Sequence, residues 1–299
     1  MTPDFSEKTP SSSQFKHILP EAKPIRSTRL RRALTICATR LASRCGLHLG
    51  WSVLRLSRSI CVKCGPLIDL NEAASMQLIH ELTTIPVPRV YCAFRRNGIT
   101  YIVMEYIRGE TLWSYWQGIG EETKEGLRNQ LKALMTELRE AQQQISGRVE
   151  APNGGKIYDD RYTEGAELRF GPFATVQDFH LWLRRGICLP LNQGPDNEVD
   201  SSADIEEMIR LQDRRRYSTV LTHGDLSSSN IIVRKDRIVG IIDWESAAWY
   251  PDYWELTSAW NVNHTDEFWR PEIERILNFE RFRDEHKMEQ IRRKYFQSP

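Results

Sequence analysis

An acidic side chain and an amide in the C-terminal half of the chain have a spacing that suits phosphoryl transfer. The segment 223–230 has the sequence HGDLSSSN and lies between the apolar runs 220–221 and 231–233. Asp225 can accept a hydrogen bond from a substrate hydroxyl, and the amide oxygen of Asn230 can bind Mg²⁺. The same residue types also form turns that satisfy only their own backbone, so this segment alone leaves both interpretations open.

A second carboxylate follows shortly afterwards. The residues 239–242 are apolar or Gly and predict a buried strand, which Asp243 ends. A carboxylate at the mouth of such a strand is costly unless it is paired or binds a metal. Asp243 could therefore chelate a Mg²⁺ that bridges nucleotide phosphates. The alternative is that Asp243 caps the following turn.

A lysine near the start of the chain is the third chemical element. Lys63 alternates with Val62 and Cys64, so its ammonium lies on one face of a predicted strand and could contact nucleotide phosphates. A buried lysine needs a carboxylate, and Glu72 on the next predicted helix is the nearest candidate. A rival hypothesis uses Glu72 in a capping box with Asp69 at its own helix end.

The elements that must position these residues follow from periodicity. Strands are predicted within 51–65, at 90–94 and at 100–106, the last two joined at Asn97-Gly98, and further strands at about 219–222, 230–233 and 238–242. One helix is predicted after the strands within 51–65 and ends at about residue 82. Further helices are predicted at 112–116, 121–145, 176–186 and 203–214, and in a Trp-rich region that runs to the end. Residues 147–175 predict a long loop, and residues 190–200 predict another.

This order predicts an α+β chain with two lobes. Residues 46–107 would form a small lobe with an antiparallel sheet, and residues 108–299 a larger, mostly helical lobe that carries the catalytic loop. Residues 1–45 are predicted to be a disordered or basic helical extension, because Arg alternates with apolar residues between positions 25 and 45.

Composition narrows the class of partner. The formal net charge is +1, which favours neither nucleic acid nor an anionic membrane through the overall field. No run of about 18 apolar residues is present, so no membrane span is expected. The first residues lack a secretory apolar region, which predicts a cytoplasmic protein. Oligomeric state is left open.

Together these motifs resemble the aminoglycoside phosphotransferase-like (phosphotransferase enzyme) family, the small-molecule branch of the protein-kinase-like fold. HGDLSSSN at 223–230 followed by IIDWE at 241–245 carries the resemblance. Protein kinases usually have Arg at the position of Gly224 and Phe-Gly after the second Asp. The segments NEAA at 71–74, IPVPRV at 85–90 and YIVMEYIRGETL at 101–112 add to it. The resemblance covers residues 50–260 and suggests a fungal-type member.

The resemblance implies roles for the C-terminal motif. Asp225 would be the catalytic base, and His223 would brace the catalytic loop around it. Asn230 and Asp243 would be the Mg²⁺ ligands.

The resemblance also implies a nucleotide site in the small lobe. Lys63 would contact the phosphates and be held by Glu72, and Met104 would lie at the back of the pocket. The backbone carbonyl of Glu105 and the N–H of Ile107 would meet the purine. Backbone contacts leave both ATP and GTP open.

The acceptor is expected to be a small molecule that bears a hydroxyl or amine. The segment between Asp243 and Pro251 is much shorter than the peptide-binding stretch of protein kinases, which argues against a peptide acceptor and against a protein kinase. Tryptophans at helical spacing more often belong to a core than to a binding wall. With that alternative open, the resemblance implies an acceptor wall that includes Asp178, Glu245, Tyr250, Asp252 and Trp254.

A different class of function also fits the sequence. No GxGxxG precedes Lys63, and only Gly46 and Gly50 could belong to a phosphate-covering turn. The alternative is a catalytically degenerate kinase-like module that binds nucleotide without turnover. The C-terminal run of Arg and Lys does not suit a polycationic aminoglycoside, so no antibiotic-resistance role is predicted.

Overall fold

The computed structural model describes residues 22–142, 146–159, 161, 169–190, 199–262 and 268–296. Residues 1–21 of the predicted N-terminal extension and most of the predicted loop 190–200 lie outside the described residues.

The N-terminal lobe is built on an antiparallel sheet of four strands in the order β1-β2-β4-β3. These strands are β1 (Val53–Arg55), β2 (Ile60–Gly65), β3 (Val90–Arg96) and β4 (Ile99–Glu105). Asn97 and Gly98 have φ of 50° and 77°, as a two-residue hairpin turn requires, so the predicted hairpin is confirmed.

A helix covers each face of this sheet. Helix α2 (Leu70–Leu82) packs Met76 and Ile79 into the main core, together with Cys61 of β2. Helix α1 (Arg29–Arg44) places Ala42 in a second cluster on the other face, together with Val62 of β2. The alternation predicted for β2 is therefore confirmed, and Lys63 lies on the face towards α2.

Helices dominate the C-terminal lobe and bury its aromatic residues. Its core contains the fully buried Trp244, Trp254 and Trp269. The helices are α3 (Leu112–Tyr115), α4 (Glu121–Glu140), α5 (Val176–Leu183), α6 (Val199–Arg214), α7 (Trp254–Asn261), α8 (Trp269–Leu277) and α9 (Arg283–Phe296).

Short antiparallel ribbons support the polar motifs of this lobe. Strand β9 (Ile231–Arg234) pairs with both β5 (Glu110–Thr111) and β10 (Arg237–Ile241). Strand β8 (Thr219–Thr222) pairs with β11 (Ala248–Pro251).

Two features of this lobe differ from the sequence prediction. Strand β11 was expected to be helical, but its pairing with β8 outweighs local helix propensity. The loop predicted at 147–175 contains the ribbon formed by β6 (Ile157–Tyr158) and β7 (Arg169–Phe170).

The fold is α+β and kinase-like, with a sheet-containing N-terminal lobe and a mostly helical C-terminal lobe. Strand β5, the first strand after the four-stranded sheet, pairs with β9, which follows the motif at 223–230. Among the helices described, none has the length and apolar character that crossing a membrane would need.

Candidate active site

The segment 223–230 forms a loop between β8 and β9 that presents Asp225. The Nδ2 of Asn230 donates to the backbone carbonyl of Asp225 at 2.9 Å and to its Oδ2 at 3.1 Å. The side chain of Asp225 is 34% exposed, so its carboxylate is open to a substrate. Asp225 and Asn230, the two residues singled out in this motif, are therefore joined directly by hydrogen bonds.

His223 is fully buried and fixes the base of the loop. Its Nδ1 accepts from the backbone N–H of Asp225 at 3.2 Å, so its Nε2 carries the proton and donates to the carbonyl of Ile242 at 2.9 Å. Burial lowers the pKa of His223 and keeps the ring neutral. His223 thus ties Asp225 to the residue before Asp243.

Gly224 and Glu255 fix the backbone of the loop 223–230. Gly224 has φ of 80°, and a Cβ there would lie 2.4 Å from the carbonyl oxygen of Ser246. The carboxylate of Glu255, at the start of α7, accepts from the backbone N–H groups of His223 and Gly224. Sequence analysis missed Glu255, although a single carboxylate on the apolar helix 254–261 was a signal of a buried partner.

Asp243 follows β10 in a left-handed backbone conformation with φ of 67°. A non-glycine residue rarely adopts this region, and such strain concentrates at functional sites. The indole Nε1 of Trp244 donates to the carbonyl of Ile241 at 2.8 Å and fixes the turn. Asp243 therefore projects its carboxylate, 37% exposed, from a rigid support.

Lys63 joins the N-terminal lobe to this motif. Its Nζ lies 2.9 Å from Glu72, 2.7 Å from Asp243 and 3.1 Å from Glu245. The Lys63–Glu72 pair predicted from the sequence is present, while Asp69 caps α2 through the N–H of Asn71. The capping box is therefore not the role of Glu72.

The charges in this cluster depend on one another. Burial alone would lower the pKa of Lys63, but the three nearby carboxylates raise it above its usual value, so Lys63 stays charged. Burial raises the pKa of Glu72 to about 7, against the opposing effect of Lys63. The cluster therefore presents one fixed cation among several carboxylates.

Asp225 has an unusual environment for a carboxylate. Burial raises its pKa to about 6, the positive charge of Arg161 opposes this shift, and Asp243 and Asp159 add to it. Asp225 is still mostly ionised at neutral pH and can accept a proton. A pKa close to the working pH suits a general base.

Two residues beside Asp225 were missed by sequence analysis. Asp159 is completely buried and accepts from Nε and Nη2 of Arg161 at 2.8 and 2.6 Å. Arg161 in turn donates to the carbonyl of Gly224, and its Nη1 lies 3.5 Å from Oδ1 of Asp225. No local motif marks this pair, since an acidic residue two positions before an arginine is common in loops.

The segment predicted to bind the purine lies at the end of β4. Met104 is buried, and the N–H of Glu105 donates to the carbonyl of Arg89 at 2.9 Å. Within the described residues, the N–H of Ile107 donates to no backbone carbonyl, which leaves it able to meet a ligand. The side chain of Ile107 packs on Gly240, where a Cβ would lie 2.6 Å from it.

The turn before Lys63 departs from a glycine-rich loop. The N–H of Leu49 donates to the carbonyl of Val53 at 2.9 Å, and His48 bridges Leu54, which closes a turn over residues 49–53. Gly50 is its one glycine. The position suits a phosphate-covering turn, but the composition does not provide several free backbone N–H groups in glycine conformations.

The residues present fit a divalent cation. Glu72, Asp243 and Glu245 place carboxylate oxygens within 4.8 Å of one another. The Nζ of Lys63 contacts all three, so a metal at Asp243 requires Lys63 to leave Asp243. The amide of Asn230 uses its Nδ2 on Asp225, so its Oδ1 is the atom left for a metal. An all-oxygen donor set of this kind suits Mg²⁺.

The predicted acceptor wall is mostly not assembled. Tyr250 and Trp254 are 0% and 1% exposed and stack on each other at 4.9 Å, so they are core residues rather than a binding surface. The carboxylate of Asp252 is buried against Arg281, and Asp178 closes the capping box of α5. Of the five residues, Glu245 lies beside Lys63 and Asp243.

Comparison with known proteins places this chain in a family. The model of the phosphotransferase enzyme family matches residues 70–291, and the chain belongs to that family. No curated protein matches its sequence significantly. The family model does not test the fungal-type subgroup, which stays a prediction.

Solved structures share the fold at low sequence identity. A thermostable mutant of aminoglycoside phosphotransferase APH(4)-Ia, in ternary complex with ADP and hygromycin B, is 16% identical with a TM-score of 0.57, covering 86% of this chain and 88% of that one. ADP-bound APH(2'')-Ib is 14% identical with a TM-score of 0.51, covering 85% and 84%. The streptomycin–ATP complex of APH(2'')-IIa is 14% identical with a TM-score of 0.50, covering 89% and 87%.

Proposed function

We propose that this phosphotransferase moves the terminal phosphate of ATP or GTP to a hydroxyl or amine of a small molecule. The observation that carries the proposal is one connected cluster. Lys63 bridges Glu72 and Asp243 at 2.9 and 2.7 Å, and His223 ties the loop of Asp225 to the residue before Asp243. Nucleotide complexes of the structural neighbours support the choice of donor.

Each side chain has a part in this reaction. Asp225 accepts the hydrogen of the acceptor hydroxyl and receives its proton as the oxygen attacks phosphorus. Lys63 leaves Asp243 and pairs with nucleotide phosphates while Glu72 keeps it in place. Asn230 and Asp243 would hold Mg²⁺, which supplies charge stabilisation at the phosphoryl oxygens. The N–H of Ile107 and the carbonyl of Glu105 would meet the purine.

The acceptor class stays open. The basic C-terminal side chains, which the sequence analysis weighed against a polycation, pair with carboxylates: Arg281 with Asp252, Lys287 with Glu207 and Lys294 with Asp204. They therefore give no argument about the acceptor. Glu245 and Arg161 are charged side chains beside Asp243 and Asp225 and are the first residues to vary in a specificity screen.

A thermal-shift experiment tests the nucleotide site. Mg²⁺ with the preferred nucleotide at a hundredfold excess over Kd should raise Tm by about 5 °C, and Asp243→Asn should abolish most of this rise. Asp236→Asn is the matched control, because Asp236 accepts from Tyr115 on an exposed hairpin. Equal shifts in both variants would contradict the role of Asp243.

Turnover distinguishes the proposed enzyme from a degenerate module that only binds nucleotide. The turn at 49–53 favours the second interpretation, because it is not a glycine-rich loop. Asp225→Asn should lower phosphoryl transfer, or basal nucleotide hydrolysis, by about 10²- to 10⁴-fold with nucleotide binding retained. Nucleotide binding without turnover over a broad panel of hydroxyl and amine acceptors would favour the module. Unchanged turnover in the variant would remove Asp225 from the reaction.

A further inference from the structure

The charges of this chain are distributed very unevenly. Residues 22–68 contain ten Lys and Arg and no Asp or Glu. Since the whole chain carries +1, the remaining residues carry a net charge of −9. The near-neutral total therefore conceals a cationic region, and this region includes α1.

Helix α1 has two different faces. Thr35, Thr39 and Ala42 are buried against the outer face of the N-terminal sheet. Leu30, Leu34 and Leu41 follow the spacing i, i+4, i+11, which places them together on the opposite side of the helix. They are 68%, 60% and 64% exposed. An exposed apolar stripe of this kind marks an interaction site for a protein, a membrane or a ligand.

Basic side chains flank the stripe. Helix α1 carries five arginines and no acidic residue, and no salt bridge is found for any of them within the described part of the chain. A groove of about 450 Å³ runs between the C-terminal half of α1 and β1. Arg40, Arg44 and His48 line it together with the exposed Trp51.

We propose that this face docks on an anionic phospholipid surface. The stripe of Leu30, Leu34 and Leu41 would enter the boundary between headgroups and acyl chains, as in helices that lie in the plane of a membrane. Arg40 and Arg44 would pair with lipid phosphates at the groove. The helix lies on the surface and does not span the bilayer.

Other occupants fit the same surface less well. A second copy of the chain would bring two cationic regions of the same sign together, which opposes association. Nucleic acid would match the arginines but gives no partner to three exposed leucines. The combination of an apolar stripe, flanking arginines and no acidic residue is the pattern of a lipid-binding surface.

This docking would leave the proposed active site accessible. Helix α1 covers the face of the sheet that carries Val62, whereas Lys63 lies on the opposite face towards α2. Lipid binding therefore does not require the phosphotransferase reaction, and a failure of either proposal leaves the other standing.

Vesicle co-sedimentation of the purified full chain tests the proposal. The chain should bind vesicles of phosphatidylcholine mixed with phosphatidylserine, bind phosphatidylcholine alone at least about tenfold more weakly, and dissociate at high salt. The triple variant Leu30→Gln/Leu34→Gln/Leu41→Gln and the double variant Arg40→Glu/Arg44→Glu should each weaken binding about tenfold or more.

Matched controls separate this surface from general effects. Leu67, Leu82 and Leu181 are exposed leucines outside α1, and Lys132 and Lys235 are exposed lysines of the C-terminal lobe. Their replacement by Gln and Glu respectively should leave binding unchanged, and thermal melting checks that every variant is folded. Absent or charge-independent vesicle binding, or stripe variants that bind normally, would overturn the proposal. Concentration-dependent dimerisation lost in the triple variant, without vesicle binding, would assign the surface to a second copy.

Discussion

At the scale of single residues, the site depends on how Asp225 is held rather than on its identity alone. Its Oδ2 accepts from Asn230 and its Oδ1 faces Arg161, so both oxygens have a fixed direction. Arg161 can act in this way because Asp159, buried and bidentate, fixes the guanidinium. We infer that Arg161 positions the carboxylate and the carbonyl of Gly224 at the same time.

The position of Arg161 leads to a prediction about kcat. Arg161→Lys keeps the charge but cannot reach Asp159, Gly224 and Asp225 together, because an ammonium lacks the planar fork of a guanidinium. We expect kcat to fall about tenfold to a hundredfold while KM for the nucleotide stays nearly constant.

Steady-state kinetics with the preferred nucleotide measure this effect. Arg148→Lys is the matched control, since Arg148 pairs through its Nε with Glu150 at 2.8 Å in the same region of the chain. An equal loss of kcat in both variants would indicate a general structural effect and would remove the positioning role of Arg161.

At the scale of elements, helix α7 and strands β8 and β10 meet at the loop 223–230. Glu255 enters the loop from α7 and satisfies two backbone N–H groups that no strand pairs. Gly224 makes room for the backbone of Ser246, which leads into β11. The loop is therefore held by two parts of the chain that follow it in the sequence: helix α7 and the segment that leads into β11.

Glu255→Gln should damage the loop although it preserves shape. The carboxylate accepts from two donors, whereas an amide offers one oxygen and turns a donor towards the other N–H. The unsatisfied N–H costs about 1–3 kcal/mol, so we expect a lower Tm and at least a tenfold loss of kcat.

Glu274→Gln provides the comparison for this change. Glu274 accepts from the indole Nε1 of Trp260 at 2.9 Å, a single donor that an amide oxygen can also satisfy. Thermal melts and kinetics of the two variants should therefore differ. Similar behaviour of both would show that the two backbone donors do not depend on Glu255.

The elements also show what the sequence could predict. Alternation in β2 placed Lys63 towards α2, and the Asn97-Gly98 turn fixed the hairpin, because both depend on neighbouring residues. Glu255 and Arg161 were missed because the loop residue that both contact, Gly224, lies 31 and 63 residues away from them. Trp254 was weighed as an acceptor contact, but its burial depends on packing that no local pattern contains.

At the scale of the whole molecule, a set of buried polar side chains joins helices of the C-terminal lobe. His180 of α5 is 0% exposed, and its Nε2 bonds the hydroxyl of Tyr253 at 2.8 Å. Arg184 of the same turn reaches Gln212 of α6 at 2.9 Å, and Tyr217 contacts Glu285 of α9 at 3.2 Å. This packing tolerates a neutral imidazole and not a charged one.

Stability should therefore fall as pH falls through a defined window. Burial, reinforced by Arg184 and opposed by Asp213, lowers the pKa of His180 to about 4. The unfolded chain binds a proton below pH of about 6.5 and the folded chain only below about 4, so the free energy of unfolding decreases across that interval. The contribution of His180 is on the order of 3 kcal/mol when the interval has been crossed.

Denaturant unfolding of His180→Gln should show a flatter pH dependence between these limits than the unmutated chain, whereas the exposed His80→Gln should not. Parallel curves for the unmutated chain and His180→Gln would mean that His180 has the same pKa in the folded lobe as in the unfolded chain, which would contradict the lowered pKa.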